Sequence, residues 1–445
     1  MGSDNSHVPR NDLSAFWLPF TANRAFRAAP RMLSAALGMY FYDDTGRPLL
    51  DTCSGLWCVN AGHGQPRIAE AIRAAAGTLD YAPTFQFGHP AAFEIAARLV
   101  ELAPEQLDHV FFVNSGSEAV DTALKIARGY FHATGQGRRF RLIGRERGYH
   151  GATFAGISVG GIANNRRTFG PLLPGTDDHL PLPYDRQRMA FTRGEPEGGA
   201  EFAEVLARSI ALHGGETIAA VIVEPMAGSA GVFASPKGYL TRLRALCDAH
   251  GILLIFDEVI TGFGRLGFAF AAERYGVVPD LITFAKGVTN GAVPMGGVLV
   301  SSRVHEAFMR GPERSIELFH GHTYSGHPLA CAAALATLDV YREEGLFERA
   351  RRLEPVFEEA VHALSGAPHV ADIRNVGLAA GIDLEPDLSA PGRKGYEVLS
   401  RAFAEEYLVL RVSGDTIALA PALVASESDI ARMVEGLRAV LGRLG

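Results

Sequence analysis

Three short apolar runs, each closed by a polar residue of chemical use, constrain the fold of this 445-residue chain more than any other feature. Ala219-Ala220-Val221-Ile222-Val223 ends at Glu224, Ile252-Leu253-Leu254-Ile255-Phe256 at Asp257, and Leu281-Ile282-Thr283-Phe284-Ala285 at Lys286. Runs this short, apolar at successive rather than alternate positions, read as strands buried on both faces. That is the habit of parallel sheets covered by helices. Such sheets keep their chemistry beyond the carboxyl ends of their strands, where the three polar residues stand.

The rest of the chain repeats the pattern. Val110 to Val113 reads as a strand, Ser117 to Phe131 as an amphipathic helix and Arg141 to Gly144 as a strand; a further strand is expected at 297–301. Strands and helices alternate from about residue 66 to about residue 310, which predicts a wound, mostly parallel sheet. Two hairpin signals lie outside it: one within Met39 to Arg47, and one where Leu408 to Val412 and Ile417 to Ala420 flank Ser413-Gly414-Asp415. Helices are expected from about 328 to 365 and over Glu427 to Leu441.

Composition narrows the function classes. With 47% hydrophobic residues the chain can bury a large core. No apolar stretch reaches the roughly 18 residues that span a bilayer. Met1-Gly2-Ser3-Asp4-Asn5-Ser6 fits a loose acylation pattern, but no basic patch follows to complete an anchor. The net charge of −7 argues against a nucleic-acid surface. Arg138-Arg139-Phe140-Arg141 and Arg349-Ala350-Arg351-Arg352 read as solvated faces. Four cysteines, with no histidine set at zinc spacing, give neither a disulfide framework nor a metal site. Cys53 and Cys58 are expected as core thiols, and the protein as cytoplasmic.

A lysine and a carboxylate at neighbouring strand ends suit one cofactor, pyridoxal 5'-phosphate (PLP). The lysine can form a Schiff base with its aldehyde, and an ionised aspartate can hold the pyridine N–H so that the ring stays an electron sink. Asn114-Ser115-Gly116-Ser117 follows a strand and opens a helix, so free N–H groups and the positive end of the helix dipole converge where a phosphate could sit. Ser117 could also be only a helix cap with Asp121 nearby. Arg411, flanked by apolar residues, must find an anion, either a structural partner or a substrate carboxylate.

These segments resemble the class III, fold type I aminotransferases. Asp257-Glu258-Val259-Ile260-Thr261-Gly262-Phe263-Gly264-Arg265 and Thr283-Phe284-Ala285-Lys286-Gly287 carry the signature. Asn114 to Ala119, Gly148-Tyr149-His150-Gly151, Glu224-Pro225, His320 to Pro328 and Leu56 to His63 follow in the family's order. The wording is most similar to the ω-amino acid:pyruvate (β-alanine:pyruvate) transaminases.

The resemblance implies an α/β large domain with a mostly parallel sheet over residues 71–325. It implies a smaller α+β domain built from residues 1–70 and 326–445. Lys286, Asp257 and Tyr149 would be catalytic, Tyr149 stacking on the cofactor ring and Ile260 packing against its other face. Ser115, Gly116, Ser117, Glu224 and Thr323 would complete the cofactor site, with Thr323 reaching the phosphate of a neighbouring subunit in a homodimer that could pair into a tetramer. Phe20, Leu56, Trp57 and Phe85 would wall the substrate pocket around Arg411. His322 stands where relatives often carry an aromatic residue, and His150 falls outside the expected catalytic set. The implied reaction moves an amino group from an ω-amino acid or primary amine to pyruvate by a ping-pong route. An aminomutase and a decarboxylating transaminase share the fold, whereas a cofactor-binding regulator would need a DNA-binding domain that 50 leading residues do not provide.

Overall fold

A computed structural model describes residues 13–170 and 172–444. The acylation pattern and the polar arm expected over Asn5 to Asp12 lie outside the described residues.

The central sheet has seven strands. In spatial order they are Leu107–Val113, Gly296–Ser301, Leu281–Phe284, Leu253–Asp257, Ile218–Val223, Arg141–Arg145 and His179–Leu180. Gly296–Ser301 runs antiparallel to both neighbours, and the remaining adjacent pairs are parallel. Every residue of Ile218–Val223, Leu253–Asp257 and Leu281–Phe284 is buried. Burial on both faces is why these strands read as unbroken apolar runs. Helices Ala200–His213 and Tyr239–His250 pack against each other and lead into the central strands.

Helix Gly116–Ala133 covers the other side of the core, burying Ala119, Ala123, Leu124 and Ala127. Helix Pro328–Glu343 starts with proline at its first position, where the missing N–H costs nothing. It ends before Gly345, whose φ of +56° separates it from helix Leu346–His362. Helix Glu427–Leu441 opens on a capping box between Ser426 and Asp429.

Both ends of the chain contribute to a four-stranded sheet of Ala35–Leu37, Tyr40–Tyr42, Pro48–Asp51 and Leu408–Val409. The first hairpin is present, Tyr40–Tyr42 pairing with Pro48–Asp51. The second differs from expectation. Leu408 to Val412 is not one strand: Leu408–Val409 pairs with Pro48–Asp51, while Arg411–Ser413 pairs with Thr416–Leu419 in a separate sheet. Leu410 is the joint.

The arginine clusters are solvated faces only in part: Arg138, Arg351 and Arg352 are exposed, but Arg139 and Arg349 are half-buried. Arg139 donates to the carbonyls of Gly215, Ile218 and His250, and Arg349 to those of Leu423, Val424 and Ala425. They tie chain segments together, which an arginine's fork of donors allows.

Candidate active site

Four adjacent parallel strands deliver charged residues to one edge of the sheet. Arg145 and Asp257 end their strands, Glu224 follows the next, and Lys286 stands two residues past Phe284. Glu224, Asp257 and Lys286 border a cleft walled also by the helix start at Gly116 and Ser117, by Tyr149, His150 and Gly151, and by Val259 and Ile260.

The helix start is arranged as an anion cradle. Ser115, rather than Ser117, is the cap: its hydroxyl accepts from Glu118 N at 3.2 Å and its carbonyl from Ala119 N at 3.0 Å. Asp121 is occupied elsewhere, accepting from Thr153 Oγ1 and Gly156 N. The N–H groups of Gly116 and Ser117 are therefore the two of the first turn left over. Glycine is needed around them. A Cβ on Gly116 would lie 2.8 Å from Val259 Cγ1, and one on Gly151, at φ +97°, would lie 2.6 Å from Ser117 Cα.

Asp257 is only 5% exposed. Its Oδ2 lies 2.8 Å from His150 Nδ1, and its Oδ1 accepts from Thr283 Oγ1 at 3.1 Å and Val259 N at 3.2 Å. His150 is buried, and its Nε2 has no partner among the described residues. Glu224 Oε1 accepts from Tyr149 N at 3.1 Å and lies 3.7 Å from Arg145 Nη2. Burial raises the pKa values of the Glu224 carboxyl and the Tyr149 hydroxyl.

Lys286 adopts φ +48°, an uncommon conformation for a side-chain-bearing residue that starts the turn Lys286–Thr289. Desolvation lowers its ammonium pKa, and nearby Cys58, Asp257 and Glu224 oppose that shift. Its turn is anchored from behind: Asn290 Oδ1 accepts from Ala61 N, and Asn290 Nδ2 donates to Gly62 O, both at 2.8 Å.

The expected residues thus fall into two groups. Gly116, Ser117, Tyr149, Glu224, Asp257, Ile260 and Lys286 share the cleft, and Ser115 caps its helix. Arg411 is half-buried and close enough for its charge to act on Tyr149 and Lys286, and its guanidinium has no hydrogen bond or ion pair among the described residues. Trp57 is 4% exposed and packs in the apolar cluster that holds Ile260.

Phe20, Leu56 and Phe85 are exposed and do not line this cleft. Thr323 and Phe85 meet each other's segments instead. Tyr81 Oη donates to Thr323 O at 3.1 Å, and the Phe85 ring packs on Gly321. His322 sets its ring edge-on to His320, 5.1 Å away.

Sequence reasoning missed His150, Arg145, Thr283 and Cys58. His150 was visible only as the neighbour of Tyr149, and Arg145 closes a strand whose end was placed one residue early. Cys53 is a core thiol as expected, but Cys58 is half-buried beside Lys286.

Residues 21–441 match the class III aminotransferase family model. The chain is 58% identical to the ω-aminotransferase of Caulobacter vibrioides over 98% of both chains. It is 48% identical to a β-alanine–pyruvate aminotransferase of Pseudomonas aeruginosa, covering 96% of this chain and 95% of that one. A PLP-bound amine transaminase from an uncultivated Pseudomonas species superposes with a TM-score of 0.88 at 36% identity, covering 97% of this chain and 99% of that one. With a strand-end lysine and aspartate at a helix-capped cleft, a family match over nearly the whole length and relatives this similar, the chain belongs to the class III aminotransferases.

Proposed function

We propose that this aminotransferase uses PLP to move an amino group from an ω-amino acid or a primary amine to pyruvate, giving alanine. The observation that carries the reading is the single cleft that joins Lys286, the buried Asp257–His150 pair and two spare helix N–H groups. The activities of the Caulobacter and Pseudomonas relatives support the substrate classes.

The residues fit the cofactor. Gly116 and Ser117 N–H groups would hold its phosphate, and Gly151 leaves the backbone room to close on them. Asp257, kept in place by His150, Thr283 and Val259, would hold the pyridine N–H. Tyr149, fixed through Glu224, and Ile260 would sandwich the ring. When bound, PLP supplies an electron sink for the bond that breaks at the substrate carbon. Lys286 Nζ would take and return the proton at that carbon. Its lowered pKa enlarges the neutral fraction able to act as base.

Arg411, whose guanidinium has no partner among the described residues, would receive the carboxylate of pyruvate or of the amino acid, with Trp57, Leu56, Phe20 and Phe85 as apolar walls. Phe85 and Thr323 sit together on an exposed face away from their own cleft, which supports a homodimer in which each subunit completes its neighbour's site. Segments 1–70 and 326–445 would form the small domain around 71–325, in a cytoplasmic enzyme.

An amine-donor panel with pyruvate as acceptor tests the reading. Alanine should form with β-alanine or a small arylalkylamine as donor. Turnover that ignores added keto acid, or that releases carbon dioxide, would overturn it.

A further inference from the structure

Arg265 is a fully buried cation, and no carboxylate lies within ion-pair distance of it among the described residues. Burying an arginine without a counter-ion is costly, and the usual compensation is a full set of hydrogen bonds. Arg265 makes four such bonds, all to neutral oxygens, while its Nε–H has no partner among the described residues. Nη1 donates to Pro421 O at 2.6 Å and Leu378 O at 3.2 Å, and Nη2 to Asn60 Oδ1 at 2.6 Å and Ser54 Oγ at 2.9 Å. The acceptors come from three distant segments. Residues 54–60 carry Leu56 and Trp57, Pro421 follows the strand that pairs with Arg411, and Leu378 connects two strands of the same C-terminal sheet.

The segment held by Nη2 is a tight turn, with Trp57 N donating to Cys53 O at 3.0 Å and Cys58 N to Ser54 O at 2.9 Å. Ser54 and Trp57 both have positive φ, a backbone conformation that costs energy in side-chain-bearing residues and that surrounding contacts must offset. Ser54 Oγ adds a bond to Ala420 O at 2.6 Å, which joins the loop directly to the C-terminal hairpin. The cleft residues Gly116, Ser117, Glu224 and Asp257 share none of Arg265's bonds, and the Lys286 turn meets the same segment only further on, through the bonds of Asn290 to Ala61 and Gly62.

We propose that Arg265 is a positioning residue for substrate specificity: its guanidinium sets the distance between the Leu56–Trp57 wall and the strand bearing Arg411. The planar fork of N–H donors lets one side chain hold every segment at once. The proposal rests on the pyruvate-transaminase reading above.

Arg265→Lys keeps the charge but cannot span four acceptors, and Ser54→Ala removes one Arg265 acceptor together with the Ser54–Ala420 bond, leaving the other three acceptors in place. Both are to be purified as holoenzymes and compared with wild type for PLP content, kcat, and KM for pyruvate. The expected result is full PLP content and kcat within about twofold. KM for pyruvate should rise about fivefold in Ser54→Ala and tenfold or more in Arg265→Lys, as loss of hydrogen bonds to a charged group implies. Should Arg265→Lys fail to fold, Ser54→Ala alone decides. An unchanged KM in the folded variants, or kcat falling in step with PLP content, overturns the proposal. Wild-type enzyme inactive with pyruvate would instead sink the underlying functional reading.

Discussion

Asp257→Asn probes the centre of the proposed chemistry with almost no change of volume. The asparagine can keep one oxygen facing Thr283 Oγ1 and Val259 N, so two of the three contacts survive. What is lost is the negative charge 2.8 Å from His150 Nδ1, at a side chain nearly shut off from water. Hydrogen bonds to charged groups are worth about 1.5–3 kcal/mol, and a preorganised group aimed at charge in the transition state about 2.7–4 kcal/mol. Only the second bears on rate, and at about 1.4 kcal/mol per factor of ten it corresponds to a loss of roughly a hundredfold to a thousandfold. The measurement is a single-turnover half-reaction with saturating amine donor, monitored through the cofactor absorbance, with a thermal melt to show that the fold is retained. A loss below about fivefold in a folded, PLP-loaded variant would refute the reasoning and mean that another group governs the ring nitrogen.

Lys286→Ala should bind PLP yet lose turnover and any borohydride-reducible link to the cofactor, and near-normal rates would remove Lys286 from the mechanism. Arg411→Ala should weaken pyruvate use by about 2–3 kcal/mol, the range for a charged hydrogen bond left unmade, while a donor without a carboxylate is largely spared; equal losses in the two half-reactions would make Arg411 structural. Gly151→Ala, whose Cβ would meet Ser117 Cα at 2.6 Å, should raise the dissociation constant for PLP at least about fivefold, an overpacking cost of about 1–3 kcal/mol read by dialysis. Sedimentation should give at least a homodimer, and an active monomer would contradict the shared site.

The central sheet was legible because its strands are buried on both faces, so sequence and burial follow one rule. The helix over Glu427–Leu441 was legible for a similar reason, since its start is chemically marked by the Ser426 cap. The run Leu408 to Val412 was misread as one strand because nothing in its composition distinguishes the sheet that takes Leu408–Val409 from the sheet that takes Arg411–Ser413. In the site, Lys286 and Asp257 announced themselves at strand ends. His150 did not, because its significance lies in a hydrogen bond to a residue 107 positions away. Ser117 was a candidate cap because its type fits; only the folded geometry shows that Ser115 fills that role while the Ser117 hydroxyl accepts from Ala152 N at 3.1 Å.

The parallel pairing of Pro48–Asp51 with Leu408–Val409 imposes an order on biosynthesis. Thr52 and Val409, which share a hydrogen bond across that junction, are 357 residues apart. At a ribosomal rate of roughly 5–20 residues per second, the early strand waits about 20–70 s for its mate. During that interval Leu49 and Leu50, which the finished sheet buries completely or nearly so, lack one neighbouring strand. An unpaired strand edge of this kind invites association with other nascent chains. Yield in a cell should therefore depend on chaperone supply and translation speed more than the stability of the folded enzyme would suggest.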